Sequence, residues 1–413
     1  MRAKLTEEIL GSADGKEAEA ILRACVHCGF CNATCPSYQV LGDERDGPRG
    51  RIYLMKNLLE GLPGDALTQT HLDRCLGCRA CETTCPSGVR YSRLLDFVRP
   101  RLEQSVRRPA SVQFVRWLLR KIVPSRIRFG ALLFVGRCLR PVLPKSIARL
   151  IPERHERLPV HPPVRATRNF ALLAGCVQQV AAPQINDAAQ VVLGALEIGI
   201  VTPAKVTGCC GALALHLGAN EEAKACARRN VDAWYPLLKS QQIEGVLSAS
   251  SGCTQILKDY GYLLRDEPNY AERARVIASA TRDPSQVIEH ESLRAYYAKR
   301  SGVSLRIAFQ SPCSLQHGLR INGAIESLLE AVGCTLAPSL EGHLCCGSAG
   351  TYSILQPAIA ESLLARKLHN LALAKPAMIA TANIGCQLHL AKDATVPVRH
   401  WLEILADRIA RVN

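Results

Sequence analysis

Two cysteine runs of identical spacing, C-x2-C-x2-C-x3-C-P, constrain this 413-residue chain more than any other feature. They read CVHCGFCNATCP and CLGCRACETTCP. In such runs, three closely spaced cysteines bind one [4Fe-4S] cubane, and the fourth, directed away by the proline, reaches the other cluster. Zinc is the alternative, but zinc favours two separated C-x2-C pairs. The sequence therefore predicts two clusters, with the ligand sets Cys25, Cys28, Cys31 and Cys85, and Cys75, Cys78, Cys81 and Cys35.

The sequence also indicates a reducing environment for these thiols. Residues 1–15 carry three acids and lack the apolar stretch of a secretory signal. The longest apolar stretch, around residues 129–136, is far shorter than the roughly 20 residues that a membrane-spanning helix needs. We therefore expect a cytoplasmic protein whose cysteines serve as thiolate ligands instead of forming disulfides.

The segment between the two runs predicts a helical module. Its 39 residues show helical periodicity in RIYLMKNLLEGL and DALTQTHLDR, after the turn-forming DGPRG. We expect an all-α domain with two [4Fe-4S] clusters over residues 1–100. It resembles the helical ferredoxin modules of iron-sulfur subunits in membrane-linked dehydrogenases.

A strongly basic segment follows, over residues 101–167. The chain has a net charge of +15, and residues 101–150 contain twelve Lys or Arg residues and one acid, Glu103. Apolar residues recur there at helical spacing between prolines, which predicts short basic amphipathic helices. Such helices bind an anionic membrane surface, here the inner face of the cell membrane, or an acidic partner. The alternative is a solvated helix face between two domains. Nucleic acid is not expected, because aromatic residues make up only 5% of the chain and no recognition motif is present.

The C-terminal half repeats a cysteine pattern. In both copies a single cysteine precedes a Cys-Cys-Gly triplet and then a Gly-Cys pair, at steps of 33, 1 and 43 residues and of 32, 1 and 40 residues. Short apolar runs alternate with helix-like stretches, which predicts two α/β domains, over residues 168–300 and 301–413. Because the ends of parallel strands meet at one sheet edge, we expect a pocket of four cysteines in each copy. These are Cys176, Cys209, Cys210 and Cys253, and Cys313, Cys345, Cys346 and Cys386.

This half resembles the CCG domain of heterodisulfide reductase and of several iron-sulfur dehydrogenase subunits. The fuller form of that motif ends in C-x-x-C, whereas Ser250 and Asn383 take the first of those positions here. The departure leaves open a four-cysteine cubane, a zinc site, a redox disulfide or a set of structural thiols. Four histidines are candidates to donate a proton to a quinone, to complete a metal site or to serve as core polar groups: His216, His317, His343 and His389. Three cysteines outside both patterns are predicted to be small buried hydrophobes: Cys138, Cys226 and Cys334.

The order of modules, with the strings LRACVHCGFC, GDERDGPRGRIYL, HLCCGSAGTY and TANIGCQLHL, resembles the family of iron-sulfur subunits of bacterial glycolate oxidase (glycolate dehydrogenase). The resemblance implies an α/β fold with an N-terminal all-α module and an electron-transfer role. It also implies FAD-containing partner subunits that oxidise glycolate to glyoxylate, and a membrane or quinone-linked acceptor. No G-x-G-x-x-G fingerprint or P-loop is present, so the flavin chemistry is expected elsewhere. We predict no catalytic residue and expect the chain to be inactive alone.

Other functions stay open at this level. An equivalent subunit of a glycerol-3-phosphate or lactate dehydrogenase complex shares the same order of modules. A CCG-type disulfide reductase subunit would use the C-terminal cysteines on a substrate, although the missing fifth cysteine argues against it. A zinc-binding assembly subunit would contain no iron.

Overall fold

An all-helical module forms the N-terminal part of the computed structural model, which describes residues 1–154, 156–298 and 304–410. Ser12 and Asp65 each accept a hydrogen bond from a backbone N–H in the first turn of a helix, which favours helix starts at these points. Leu22, Met55 and Leu94 belong to its apolar core. The helices are α1 (Glu7–Leu10), α2 (Ala13–Ala24), α3 (Phe30–Ala33), α4 (Pro36–Leu41), α5 (Pro48–Leu59), α6 (Ala66–Asp73), α7 (Ala80–Thr84) and α8 (Tyr91–Ser105).

The basic segment is helical in its first part. The last helix of the module, α8, passes the predicted boundary at residue 100, and the boundary itself stays a prediction. The segment contains α9 (Ala110–Ile122), α10 (Arg126–Leu139) and α11 (Lys145–Ala148). All residues of α9 are described, and none of its side chains is buried. Within residues 1–154, 156–298 and 304–410, none of the helices has the length and apolar content that crossing a bilayer requires.

Two four-stranded parallel sheets follow, in a first cysteine-rich region (residues 168–298) and a second cysteine-rich region (residues 304–410). Their strand orders are β2-β1-β3-β4 and β6-β5-β7-β8, so both regions have the same topology. Helices connect the strands, as parallel pairing requires. The strands are β1 (Arg168–Leu173), β2 (Ile198–Ile200), β3 (Gly245–Ser248), β4 (Thr281–Arg282), β5 (Leu305–Gln310), β6 (Cys334–Ala337), β7 (Met378–Thr381) and β8 (Val398–His400).

Helices cover both sheets and join the two regions through one apolar core. Ile185 and Val192 of the first region belong to the same buried cluster as Ile325 and Leu405 of the second. The predicted fold class, α/β with an N-terminal all-α module, is confirmed. The predicted boundary at residues 300–301 and the end at residue 413 lie outside the described residues. The helices are α12 (Gln178–Ala181), α13 (Gln184–Ala195), α14 (Ala212–His216), α15 (Asn220–Lys239), α16 (Ser251–Lys258), α17 (Tyr260–Leu263), α18 (Ala271–Ala280), α19 (His290–Ala298), α20 (Ala324–Ala331), α21 (Tyr352–Leu355), α22 (Pro357–Ala372), α23 (Ile384–Leu390) and α24 (Trp401–Ala410).

Candidate metal centres

Five cysteines from the two cysteine runs line one cavity of the helical module, the first cavity. Cys25, Cys28 and Cys31 come from the first run, and Cys81 and Cys85 come from the second. Gly29 has a φ of 85°, a left-handed conformation that lets the chain turn directly from the ligand loop into α3. Burial raises the pKa of the Cys31 thiol to about 11. Cys28 is exposed, so this cavity reaches the molecular surface.

Four cysteines of the runs line the second cavity, and one of them, Cys81, also lines the first. Cys75, Cys78 and Cys81 come from the second run and Cys35 from the first. Burial raises the pKa of the Cys78 and Cys81 thiols well above the ordinary value. Thiolates in such a place need a positive group beside them, and a bound iron-sulfur cluster supplies one. The donor atoms of both cavities therefore fit the predicted clusters, while the ligand assignment stays a prediction.

The exchange of fourth cysteines couples the two cavities. Pro36 begins α4 immediately after Cys35 and carries the chain away from the rest of its run. Between the cavities, the hydroxyl groups of Thr34 and Thr84 are 3.0 Å apart, and both threonines directly precede the exchanged cysteines. The short helices α3 and α7, which lie within the two cysteine runs, thus pack against each other.

Arg51 places a buried cation beside the second cavity. Its side chain is 1% exposed, its Nη1 lies 4.0 Å from Cys35 Sγ, and its Nε donates to the carbonyl of His71 at 2.7 Å. The Asp46 carboxylate accepts from Arg51, from His71 and from Arg74. This group is therefore an ion-pair network that holds the guanidinium near a thiol. Spacing alone did not identify Arg51, although it lies within the string GDERDGPRGRIYL.

In the second cysteine-rich region, four thiols meet at the carboxyl ends of the strands. Cys313 follows β5, and its Sγ lies 3.9 Å from the Sγ of Cys345. Cys346 contacts both Cys345 and Cys386 through its sulfur. Lys367, which the sequence analysis missed, is 1% exposed, and burial lowers the pKa of its ammonium group. The nearby thiols of Cys346 and Cys345 act in the opposite direction and offset part of that lowering.

The first cysteine-rich region brings together five cysteines. Cys176, Cys209 and Cys210 belong to one buried cluster, against which Cys253 packs. Cys226 of α15 contacts Cys209. Cys226, predicted to be a small buried hydrophobe, is half-buried and packs against this apolar cluster, but its thiol also belongs to the group of cysteines. No spacing pattern indicates this contact, because only the packing of α15 brings Cys226 to the pocket.

The two regions differ at matched positions of the helix that packs behind each pocket, which is α15 in the first region and α22 in the second. Gly211 faces Cys226, whereas the matching glycine of the second region, Gly347, faces Leu363. One turn later the first region has the buried Asn230 where the second has Lys367. The amide of Asn230 accepts from Gly208 N at 2.9 Å and donates to the carbonyl of Cys209 at 3.1 Å.

Ser250 and Asn383, which replace the extra cysteines of the fuller motif, meet between the two regions. Ser250 Oγ lies 3.5 Å from Asn383 Oδ1, and the same oxygen of Asn383 accepts from Gly385 N at 2.9 Å. Asn383 thereby caps α23. These positions stabilise the contact between the two regions and one helix start.

The pocket of the second region adjoins the second cavity of the helical module. The nearby Cys313 thiol contributes to the raised pKa of Cys78, behind the larger effect of burial. Thr83 Oγ1 and His317 Nδ1 are 2.8 Å apart. Tyr352 donates to the carbonyl of Arg74 at 3.0 Å. Two four-cysteine sites are thus held side by side.

The four candidate histidines occupy different places. His216 lines the second cavity, and burial lowers its pKa to about 4. His317 Nε2 lies 3.0 Å from the carbonyl of His343, whose own side chain is exposed. His389 is buried, and its Nε2 lies 3.4 Å from a backbone carbonyl, which makes it a core polar group. The structure therefore brings one of the four, His216, to a thiol-lined cavity of the helical module.

The remaining two cysteines also differ from each other. Cys334 is buried in β6, whereas Cys138 is exposed on α10. The expectation of a buried hydrophobe is therefore wrong for Cys138. An amphipathic pattern does not reveal which face of a helix is left uncovered, and α10 is mostly exposed.

Some basic residues of α9 form ion pairs with acidic residues elsewhere in the chain. Arg116 pairs with Glu103 at 2.8 Å, and Lys121 pairs with Glu222 at 3.0 Å. These contacts fix α9 against α8 and the first region. Large apolar side chains of α9 and α10 are exposed, among them Phe114, Trp117, Ile127, Phe134 and Val135.

Comparisons with protein families agree with this architecture. Residues 21–89 match the family described as 4Fe-4S dicluster domain. Residues 170–258 and 307–391 each match the family described as Cysteine-rich domain. A crystal structure of a hypothetical protein from Helicobacter pylori is similar with a TM-score of 0.53 and 10% identity, covering 98% of this chain and 76% of that one. That likeness concerns the fold alone.

Several curated proteins are similar to this chain in amino-acid sequence. The glycolate oxidase iron-sulfur subunit of Escherichia coli (strain K12) is 46% identical over 411 residues, covering 100% of both chains. The probable glycolate oxidase iron-sulfur subunit of Bacillus subtilis (strain 168) is 28% identical over 402 residues, covering 90% of this chain and 89% of the relative. Lactate utilization protein A of Shouchella clausii (strain KSM-K16) is 26% identical over 247 residues, covering 57% of this chain and 98% of the relative.

Proposed function

This chain belongs to the family of glycolate oxidase iron-sulfur subunits, and on that basis we propose that it relays electrons from FAD on partner subunits to a membrane or quinone-linked acceptor. Its full-length similarity supports an iron-sulfur electron-transfer role within an oxidoreductase complex. In our proposal, the partner subunits oxidise glycolate to glyoxylate, and this chain has no activity alone.

The observation that carries the proposal is the pair of thiol-lined cavities, in which Cys85 of the second run lies at the first cavity and Cys35 of the first run lies at the second. Bound there, [4Fe-4S] clusters would supply one-electron transfer, which divides the electron pair that a flavin releases. The exposed Cys28 supports an exchange of electrons with a partner at the first cavity. Arg51 holds positive charge beside the second cavity, where added negative charge would otherwise be costly.

We propose an additional cluster or a zinc ion in the second cysteine-rich region. Its four thiols converge, and the buried Lys367 offsets part of the charge that four thiolates would carry. Its position beside Cys78 supports contact with the relay. The first region has the uncharged Asn230 in place of this lysine, and its Arg229 donates to Cys226, which lies outside the repeated four-cysteine pattern, so the same proposal has less support there.

We propose that α9 and α10 bind the inner face of the cell membrane peripherally. The exposed aromatic side chains of Phe114, Trp117 and Phe134, among basic residues, support this placement.

Lactate is the second candidate substrate of the complex, because Lactate utilization protein A is similar to 57% of the chain. Flavin reduction by each hydroxy acid in the purified complex separates the two substrates.

The relay is tested with Cys28→Ser and Cys78→Ser in the complex with its partner subunits. We expect flavin reduction by glycolate to stay within about 2-fold, and electron delivery to an external acceptor to fall more than about 100-fold. Cys138→Ser, an exposed thiol outside the cavities, is the matched control and should change neither rate. Normal delivery by the double variant would contradict the proposal.

A further inference from the structure

The second cysteine-rich region has a groove of about 460 Å³, partly open to solvent, at the sheet edge opposite its thiols. This groove runs between the last part of α22 and the segment 391–397, which leads into β8. Pro376 precedes β7 and Thr395 precedes β8, so the wall lies at the amino ends of these strands. The thiols lie beyond the carboxyl ends of the strands. The groove is therefore separate from the thiol sites described above.

In the first region, a helix of the chain itself covers the matching surface. The connection from α16 to β4, residues 259–280, contains α17 and α18. Ala274 and Ile277 of α18 are fully buried in the apolar cluster of that region. The connection from α23 to β8, residues 391–397, is much shorter and contains no helix. The second region therefore has no counterpart of α18 between these two elements.

The positions that α18 covers in the first region are positions that line the groove in the second. Val246 of β3 and Ile379 of β7 have the same register, each beside an alanine of the central strand. Val231 of α15 matches Leu368 of α22, one residue after the matched Asn230 and Lys367. Val231 and Val246 belong to the buried cluster that includes α18, whereas Leu368 and Ile379 line the groove. The groove is thus the place that α18 fills in the first region.

An acidic residue of α15 binds the start of α18 in the first region. Asp232 accepts hydrogen bonds from Tyr270, which directly precedes α18, and from Arg273 of α18, both at 2.9 Å. The residue of α22 at the matching position is His369. An arginine of an occupant would therefore find no carboxylate at this point. The groove does not suit a basic helix such as α18.

The charge that remains unpaired at the groove is positive. Lys375 and His369 line it with exposed side chains, and within the described residues neither side chain makes a hydrogen bond or an ion pair. The acidic residue of the wall, Asp393, already pairs with Arg149 at 3.0 Å. The ammonium group of Lys375 and the imidazole of His369 are both able to donate to a carboxylate. Charge complementarity therefore favours an acidic occupant.

We propose that the groove binds an amphipathic helix of a partner subunit. This helix places apolar side chains at helical spacing against Leu368 and Ile379, as helices bound in grooves do. Its carboxylates face Lys375 and His369. The inference rests on the FAD-containing partner subunits of the proposed function, but not on the route that the electrons take. It assigns to the second region a docking role at the edge of the sheet that its thiols do not use.

The matched pair Ala372→Trp and Ala358→Trp tests the docking. Both alanines are exposed on α22, but Ala372 lines the groove, whereas Ala358 lies about 21 Å away along the helix. The affinity of the full iron-loaded chain for its purified FAD-containing subunits is measured by biolayer interferometry without substrate. We expect Ala372→Trp to weaken binding more than about 10-fold, because the indole fills the groove. Ala358→Trp should change the affinity less than about 2-fold.

A second pair of variants tests the charge of the occupant. Lys375→Glu should weaken binding about 5-fold at low ionic strength and less at high ionic strength, because salt screens exposed charges. Lys239→Glu, a change of an exposed lysine on α15, is the control and should change the affinity less than about 2-fold. Tighter binding by Lys375→Glu would mean a basic occupant and would contradict the proposal.

Iron and sulfide contents, measured on every variant, show whether the chain is intact. Equal affinities of the two intact tryptophan variants would overturn the docking site, while binding by the unmodified chain would leave the proposed function in place. A dimer of the chain alone that Ala372→Trp dissociates would identify a second copy as the occupant and would also overturn the proposal. No binding of the FAD-containing subunits by the unmodified chain would contradict the proposed function itself.

Discussion

The two cysteine-rich regions have the same strand order and the same placement of four cysteines, yet different side chains surround those cysteines. The helix behind the pocket carries Lys367 in the second region and Asn230 in the first, both buried. One turn earlier it carries Leu363 in the second region and Cys226 in the first. The strands thus determine where the thiols meet, while the covering helix supplies different groups beside them: the buried Lys367 in the second region, and Asn230 with Arg229, which donates to Cys226 Sγ at 3.6 Å, in the first.

The largest effect is expected from removing one thiol in each region. Cys345→Ser should lower the metal affinity of the second region more than about 100-fold, because even residues outside the ligand set typically change affinity about 10- to 100-fold. Cys209→Ser, the matched change in the first region, should leave the iron or zinc content of the chain unchanged. Metal analysis of both variants checks this, and an equal loss from both would remove the functional difference between the regions.

A smaller effect is expected from the buried cation. Lys367→Met removes a positive charge near the thiols but keeps a similar volume, so a redox centre there should have a lower midpoint potential, because its reduced form loses stabilising charge. Lys239→Met, an exposed lysine of α15, is the control. A spectroscopic redox titration measures both. An unshifted midpoint potential in Lys367→Met would show that this lysine serves only as a hydrogen-bond donor to the backbone carbonyl of Glu341.

The smallest effect concerns matched buried groups after β4 and at the end of β8. Burial raises the pKa of Asp283 to about 6 and lowers the pKa of His400 to about 3. With rising pH, local stability should therefore fall near Asp283 between about 4 and 6, and rise near His400 between about 3 and 6.5, by at most about 1.4 kcal/mol per pH unit. Hydrogen exchange of β4 and β8 at several pH values measures this.

The variants Asp283→Asn and His400→Gln serve as controls for that measurement. Each should abolish the pH dependence of its own strand and leave that of the other strand in place. Parallel pH dependence of both strands in the unmodified chain would mean that other groups determine the local stability.

The sequence predicted the parts of the sites that depend on local spacing. The proline after each run predicts that Cys35 and Cys85 leave their own runs, and the two cysteines line the second and the first cavity respectively, while the ligand sets stay a prediction. Lys367 and Cys226 were missed because they reach the thiols only through the packing of a helix distant in sequence. Likewise, periodicity revealed basic amphipathic helices, but not that Arg116 would be paired with Glu103.

The most direct test of the relay is the iron, acid-labile sulfide and zinc content of anaerobically purified chain, with an electron paramagnetic resonance spectrum after reduction. We expect at least about eight irons and eight sulfides per chain and spectra of two interacting reduced clusters. Iron beyond that number should disappear in Cys345→Ser and remain in Cys209→Ser. Zinc without sulfide would contradict the account.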